Sequence, residues 1–298
     1  MPKHGYLLVL ALTWLASPVA EAHESIGVEY TTADGVVIVG DYWTPIDMSK
    51  KAPAVILLHM FRSDRSAWLP LVPELEKAGF AVMTIDLRGH GQSIKPEDRH
   101  LAKRVSDRDP DLFQAMHHDV TGAYHWLQQR PEVDLSRLAI VGASVGCSVA
   151  IDYAGRDKSV DVIVLMTPGK NYLGLDSMAH LKKYGQRPVL MLASEEERSG
   201  GTDALAKLAD DAQVKIYDQS GIHGTRMFGK VSGVAQFIAK YLAEHVGSPS
   251  NEVVYAGVNG TAYYLPDSAR AKRLSLENRR VFSSPAEAQQ RGLHPPKN

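Results

Sequence analysis

The 298-residue chain has a single cysteine, Cys147, and nearly equal numbers of basic and acidic side chains, 33 against 34. A lone thiol excludes an internal disulfide framework and any multi-cysteine metal site. A formal net charge of −1 leaves no global field to attract a polyanion, so there is no strong nucleic-acid signal. Long apolar runs are also missing. The run Tyr6–Ala16 near the start falls short of the roughly 20 residues a spanning helix needs. What the chain does have is a globular composition, 44% hydrophobic and 22% charged. That excludes a disordered tail protein, a collagen-like fibre and a coiled coil.

The first residues are read apart from the fold. Lys3 and His4 precede the apolar run, and the small-residue triplet Ala20-Glu21-Ala22 follows it. This order of charge, short apolar stretch and A-x-A site predicts a secretory leader over residues 1–22, cleaved after Ala22. No cysteine stands at the cleavage site to carry a lipid anchor. The expected mature protein is periplasmic or secreted, with no membrane span after leader cleavage. A lone thiol suits such an oxidising space if it is buried.

Gly27–Thr31 and Val36–Tyr42, around Ala33-Asp34-Gly35, read as a hairpin. Short apolar runs then recur at Pro53–His59, Ala81–Asp86, Leu138–Val141, Val162–Met166, Pro188–Ala193 and Val214–Tyr217. Rich in Val, Ile and Leu and not alternating, they suit strands covered on both faces. Helical spacing lies between them at Trp68–Ala78, Leu112–Gln129, Val145–Tyr153, Asp203–Leu208 and Val231–Val246. The pattern predicts an α/β class with a doubly wound, mostly parallel sheet. Ligands in such sheets bind beyond the carboxyl ends of the strands.

The strongest chemical signal sits at one of those ends. Leu138–Val141 runs into Gly142-Ala143-Ser144-Val145-Gly146 and then a helix. This is G-x-S-x-G in its strand–turn–helix context, where a sharp turn presents the serine hydroxyl and the Val145 amide faces an oxyanion. A serine hydroxyl needs a base and a group that orients the base. Both follow in the order Ser…acid…His: Glu195-Glu196-Glu197 after one strand, and His223 in the Gly221–Gly224 loop after the next. Spacing alone does not choose among the three glutamates.

At this point the sequence resembles the α/β-hydrolase superfamily, and within it the dienelactone-hydrolase-like serine esterases, over about residues 27–246. Asp86-Leu-Arg88-Gly89-His90-Gly91-Gln-Ser93 is similar to the family's D-x-R-G-x-G-x-S loop. Thr167-Pro168-Gly169-Lys-Asn-Tyr172-Leu-Gly174 is similar to its S-P-G-x-x-Y-x-G stretch. In the family the acid ends a G-x-x-D turn. Ser194 matches that glycine, so the resemblance implies the triad Ser144–Glu197–His223, with Glu196 as runner-up for the acid. The oxyanion hole it implies uses the amides of Val145 and Phe61. The usual dienelactone hydrolases carry a cysteine nucleophile. Here the elbow has serine, and Cys147, one helical turn later, reads as a small core residue. A second departure is His59-Met60-Phe61-Arg62-Ser63, where the family begins its oxyanion loop His-Gly. Removing one oxyanion donor costs on the order of 10²–10³ in rate.

The implied chemistry is acyl transfer on a small-molecule ester, with no cofactor and no metal. The short span between Val162–Met166 and Pro188–Ala193 leaves no room for a large cap. The charge-dense stretch Lys95–Asp111 reads as a solvated lip. Both favour short or polar esters over long acyl chains. His117 and His118, adjacent on a helix, read as surface residues pointing in different directions, with His125 seven residues on. His90 reads as packing near the site, and His245 as structural.

Residues 23–246 are thus expected to form the hydrolase domain, 247–251 a linker and 252–298 a small α+β module of hairpin and helix. Val253–Gly257 and Thr261–Leu265 flank Val258-Asn259-Gly260, a hairpin cue. A basic segment follows, with Arg270, Lys272, Arg273, Arg279 and Arg280. Ser284-Pro285-Ala286-Glu287 then opens a helix that Gly292 ends. The tail resembles a degenerate Ada-type metal-binding module in Tyr263-Tyr264-Leu-Pro266-Asp267-Ser268, Asn278-Arg279 with Phe282, and Glu287-Ala288 before Gly292 and Pro295. Tyr264 and Ser268 stand where that module has histidine and cysteine. From residue 249 on, seven basic and four acidic residues make this tail basic. Its implied partner is an envelope component or the hydrolase core itself. Two readings remain: an exported serine esterase, or a non-catalytic binding protein on a hydrolase scaffold with a basic interaction module.

Overall fold

Strands buried on both faces carry the centre of the molecule. The computed structural model describes residues 1, 24–96, 99–209, 212–247, 254–265, 268–275, 278–282 and 285–295. The expected leader, most of the linker, Glu97, Asp98, Pro266, Asp267, Ser284 and the Glu287 side chain lie outside the described residues. An eight-stranded sheet has the order β1-β2-β4-β3-β5-β6-β9-β10. Its strands are β1 (Ile26–Thr31), β2 (Val37–Trp43), β3 (Ala52–Leu58), β4 (Ala81–Ile85), β5 (Val133–Ala143), β6 (Val160–Met166), β9 (Val189–Ser194) and β10 (Gln213–Tyr217). Between β6 and β9, β7 (Asn171–Tyr172) and β8 (Leu175–Asp176) form a separate two-stranded hairpin. In the large sheet β1–β2 and β2–β4 are antiparallel, and every other neighbouring pair is parallel.

Alternation along the central strands explains the continuous apolar runs. Ala54, Ile56 and Leu58 of β3 join Leu138 and Ile140 of β5 and Ile163 and Leu165 of β6 in one core. Val55, Leu57, Ala139, Val141, Val162 and Val164 face the opposite one. Each such side chain contributes roughly 1.5–3 kcal/mol when fully buried. Helices α1 (Val72–Lys77) and α8 (Val234–His245) cover the second core. The first is covered by α2 (Arg99–Ser106), α3 (Pro110–Gln114), α4 (His117–Gln128), α5 (Val145–Arg156), α6 (Ser177–Tyr184) and α7 (Thr202–Ala206). No helix among the described residues is long and apolar enough to cross a membrane.

Several expected elements are corrected. The helix over Trp68–Ala78 begins only at Val72, after a one-turn helix at Arg65–Trp68, because Pro70 and Pro73 lack amide hydrogens. The helix over Leu112–Gln129 is two, α3 and α4. Around Ala115–Asp119 the amides of Met116, His118 and Asp119 bond three residues back, a tightening that apolar spacing does not register. The stretch Lys95–Asp111 is not only a solvated loop: it holds α2, whose Leu101 and Val105, four apart, are buried. His117 and His118 do not diverge. Their ring centroids lie 4.0 Å apart at the start of α4, where His117 Nδ1 is 2.7 Å from the Gln114 carbonyl.

The tail forms β11 (Val254–Gly257), β12 (Tyr263–Tyr264), β13 (Arg279–Phe282) and α9 (Pro285–Gln290), with α9 against β5. Within the basic segment, Arg279 and Arg280 lie on β13, a strand the sequence reading did not expect, which pairs antiparallel with β11. Val254, Ala256, Tyr263, Phe282, Ala288 and Leu293 make a small core of their own.

Beyond β4, the Asp86–Ser93 loop is held by buried charge. Arg88 donates through its amide and Nε to Asp119, at 2.9 and 2.8 Å, and through its two terminal nitrogens to Asp34, at 2.6 and 3.0 Å. Gly91 sits at φ 50°, and a Cβ there would meet the Asp86 carboxyl at 2.3 Å. Arg88→Met would leave Asp119, which is fully buried, without its cation. Loss of one partner of a buried pair costs about 3–5 kcal/mol. Urea unfolding should show a midpoint lowered accordingly, with Arg88→Lys less severe.

Candidate active site

The turn between β5 and α5 forces a left-handed backbone on a serine. Ser144 has φ 52° and ψ −116°, and its amide donates to the Met166 carbonyl at 2.9 Å. Both flanking glycines are required by close approach. A Cβ on Gly142 would lie 2.3 Å from the Gly146 carbonyl oxygen, and one on Gly146 would lie 2.2 Å from that of Leu58. Such a backbone costs on the order of 1–3 kcal/mol and persists only where its surroundings over-determine it. Ser144 is buried at the head of α5. As the first residue of that helix, Val145 has an amide with no intrahelical acceptor, at the positive end of the helix dipole.

Two neighbouring loops meet beside this turn. Glu197 follows β9 and His223 follows β10, and Glu197 Oε1 is 2.6 Å from His223 Nδ1. A carboxylate only accepts, so Nδ1 carries the hydrogen, and in the neutral ring Nε2 is left as the acceptor. The second carboxylate oxygen of Glu197 lies 3.4 Å from the Ser194 hydroxyl. Glu196 points elsewhere: its Oε1 accepts from the Gly221 amide at 2.6 Å and so braces the loop that bears His223. Glu195 pairs with Arg198. Geometry therefore separates three glutamates that spacing left equivalent.

The loop after β3 closes another side. A Cβ on Gly146 would crowd the carbonyls of both Leu58 and His59, so this loop lies directly on the elbow. His59 is fully buried. Its Nε2 accepts from the Leu87 amide at 3.0 Å, so Nδ1 holds the hydrogen that reaches the Met60 carbonyl at 2.8 Å. Burial, reinforced by His90, lowers this imidazole from its ordinary 6.5 to about 3. Met60 to Ser63 then forms a tight turn, with the Ser63 amide donating to the Met60 carbonyl at 3.1 Å. Arg62 takes the positive φ of that turn, 56°, so the conformation that a glycine would adopt freely is held by a larger residue. Phe61 is half-buried, with the guanidinium groups of Arg62 and Arg108 at 5.1 and 5.7 Å from its ring centroid.

Residues 53–198 match the family model described as alpha/beta hydrolase fold, a span that includes the elbow and Glu197 and stops before His223. An esterase from Pyrococcus furiosus superposes with a TM-score of 0.60 at 20% identity, over 76% of this chain and 94% of that one. A dienelactone hydrolase from Anabaena variabilis gives 0.57 at 17%, over 75% and 99%. The chain has the α/β-hydrolase fold. Among curated relatives, an uncharacterised protein of Mycobacterium tuberculosis is 31% identical over 51% of this chain and 48% of its own length. A thiohydrolase of Aspergillus aculeatus is 23% identical over 67% and 60%. The chain thus spans about half to three-fifths of the length of these relatives.

The remaining candidates on this α/β-hydrolase scaffold are structural in their contacts. Cys147 is buried, its Sγ 3.1 Å from the Gly142 carbonyl and 3.3 Å from that of Met166, and burial pushes its thiol well up. His90 lies edge-on to His59 with centroids 5.0 Å apart, and His245 stacks on Tyr241. Among the described residues, no group of three or more His, Cys, Asp or Glu side chains is placed to hold a metal ion. Sequence reasoning did not single out Arg62 and Arg108 as neighbours of Phe61. They are far apart in the chain, and nothing local in it indicates that both reach one ring.

His59 makes the scaffold acid-sensitive. Its folded value lies below the unfolded one, so the unfolded chain binds the extra proton and stability falls as pH drops from about 6.5 toward 3. Between pH 7 and 5 this ring alone removes about 2 kcal/mol. Denaturant unfolding at both pH values should show a smaller difference in His59→Asn than in the parent protein.

Proposed function

We propose that this chain is a serine hydrolase that cleaves carboxylic esters through Ser144, His223 and Glu197. The observation that carries the reading is the short contact between Glu197 and His223 Nδ1 beside a strained serine elbow. In this reading His223 Nε2 takes the proton as Ser144 Oγ attacks the ester carbonyl. The amides of Val145 and Phe61 receive the oxyanion, reinforced by the N-terminal end of α5. His223 returns the proton to the leaving alcohol, and water, activated by the same imidazole, releases the acid from Ser144. Glu197 holds the tautomer and stabilises the imidazolium, while Glu196 fixes the loop.

In this reading the two guanidinium groups beside Phe61 make its surroundings polar, in keeping with compact or polar esters rather than long acyl chains. The thiohydrolase relative adds thioesters to the substrates worth testing. Export by the leader at residues 1–22, to the periplasm or outside the cell, belongs to the same proposal. A second reading, a non-catalytic binding protein, is favoured by one observation: Phe61 and the strained Arg62 occupy the turn that supplies an oxyanion amide.

A fluorophosphonate probe decides between them. The parent protein should label at Ser144 and hydrolyse short p-nitrophenyl esters, and Ser144→Ala should lose both. Glu197→Gln should lower kcat by about 10³-fold or more, because it disturbs the imidazole tautomer. Glu196→Gln should stay within about tenfold of the parent, because its amide oxygen still accepts from Gly221 and only the charge is lost. A parent protein that neither labels nor turns over short or long oxygen esters or thioesters would rule out the enzyme reading.

A further inference from the structure

The end of β6 carries a further strained residue that the proposed chemistry does not use directly. Thr167 has φ 58° and is almost fully buried. A left-handed backbone is a true outlier for a β-branched residue. It is doubly unusual here, because the residue before a proline is driven toward extended conformations, and Pro168 follows.

The contacts around this corner reach every loop of the candidate triad. The Met166 carbonyl accepts from the Ser144 amide at 2.9 Å, and the Thr167 amide donates to the Leu192 carbonyl on β9 at 2.6 Å. Gly169 bridges Gly201, which closes the loop bearing Glu197, and a Cβ on Gly201 would strike the Pro168 carbonyl oxygen at 2.2 Å. Thr167 Oγ1 accepts from the Gly224 amide, next to His223, at 3.0 Å. Gly224 is wedged on its other side, since a Cβ there would meet Met60 Sδ at 3.0 Å and Ala143 Cβ at 3.4 Å. The left-handed turn is thus accompanied by a hydroxyl aimed at the histidine loop and a main chain aimed at the acid strand.

We propose that Thr167 is a positioning residue whose hydroxyl holds the Gly224 amide, and through it the His223 imidazole, in register with Ser144 and Glu197. The inference rests on the esterase reading for its kinetic consequence and on geometry alone for its structural one. A hydroxyl is required at this position and the γ-methyl is not. Thr167→Ser should therefore keep function, whereas Thr167→Val and Thr167→Gly should lose it by different routes. Thr167→Gly also relieves the backbone strain, which offsets part of the cost of leaving the Gly224 amide unpaired, so it should stay folded while working less well.

Two measurements on the full chain test this. In steady-state hydrolysis of a short p-nitrophenyl ester, with active sites counted by fluorophosphonate titration, kcat should fall about 10- to 100-fold in Thr167→Gly, the size of one to two tenfold steps in transition-state stabilisation. KM should stay within about threefold, and Thr167→Ser should restore kcat. In proton NMR, the low-field resonance of the His223 Nδ1 hydrogen, assigned by its loss in His223→Ala, should be broadened or absent in Thr167→Gly and present in Thr167→Ser. This second readout needs no turnover. An unchanged resonance in Thr167→Gly overturns the positioning role whether or not the protein is an esterase. So does an unchanged kcat in an active protein. An inactive parent with the expected change in resonance leaves the positioning role standing and removes only the esterase reading.

Discussion

A serine held at φ 52° between a strand and a helix needs neighbours that leave no alternative, and the architecture of the site follows from that requirement. Gly142 and Gly146 let backbone approach backbone at distances no Cβ allows, which draws the ends of β3 and β5 together. The Met166 carbonyl then receives the Ser144 amide, so β6 ends where β5 ends. Parallel strands in register deliver their loops to one edge, and the loops after β3, β5, β6, β9 and β10 all meet there. The strain at Ser144 is the local cost of presenting a hydroxyl and a helix N-terminus at one point.

Around that point, directional polar contacts, buried at His59 and Arg88 and exposed at Glu196, do the fixing that apolar packing cannot. His59 is held in one tautomer between Leu87 and Met60, which links the β3 loop to the Asp86–Ser93 loop. Arg88 bridges Asp119 and Asp34 and so ties that loop to α4 and to the β1–β2 hairpin. Glu196 and Glu197 divide their labour over one stretch of chain, one on the Gly221 amide and one on the imidazole. Each contact is directional, and an unpaired buried partner is costly, so these groups restrict the loops to one arrangement.

The small C-terminal sheet obeys the same logic on a smaller scale. Among the described residues, six buried side chains form its core, and Arg279 and Arg280 lie over Tyr255 and Phe282 rather than projecting freely. The nearly neutral charge of the whole chain thus averages an acidic body and a basic appendage, whose cations are partly engaged within its own fold.

The parallel sheet, the elbow and the Ser…acid…His order were legible because each depends on near neighbours in the chain. Apolar runs of strand length report burial on both faces, and Gly142-Ala143-Ser144-Val145-Gly146 reports a turn that few residue types can make. Other features were hidden because their cause lies across the molecule. The tightened turn that splits α3 from α4 preserves the apolar spacing. The short amphipathic repeat of α2 is masked by its charges, and β13 becomes a strand only by pairing with β11. By itself, then, the sequence determined the strands of the parallel sheet, the elbow and which residue types can do chemistry, since these follow from periodicity and backbone preference. Only the tertiary structure brought Glu197, the acid the resemblance implied, and not its runner-up Glu196 against His223, gave Arg62 the strain of the Phe61 turn, and set Thr167 facing Gly224. Those choices turn on side-chain direction between loops far apart in the chain, and that direction is set only when the strands align.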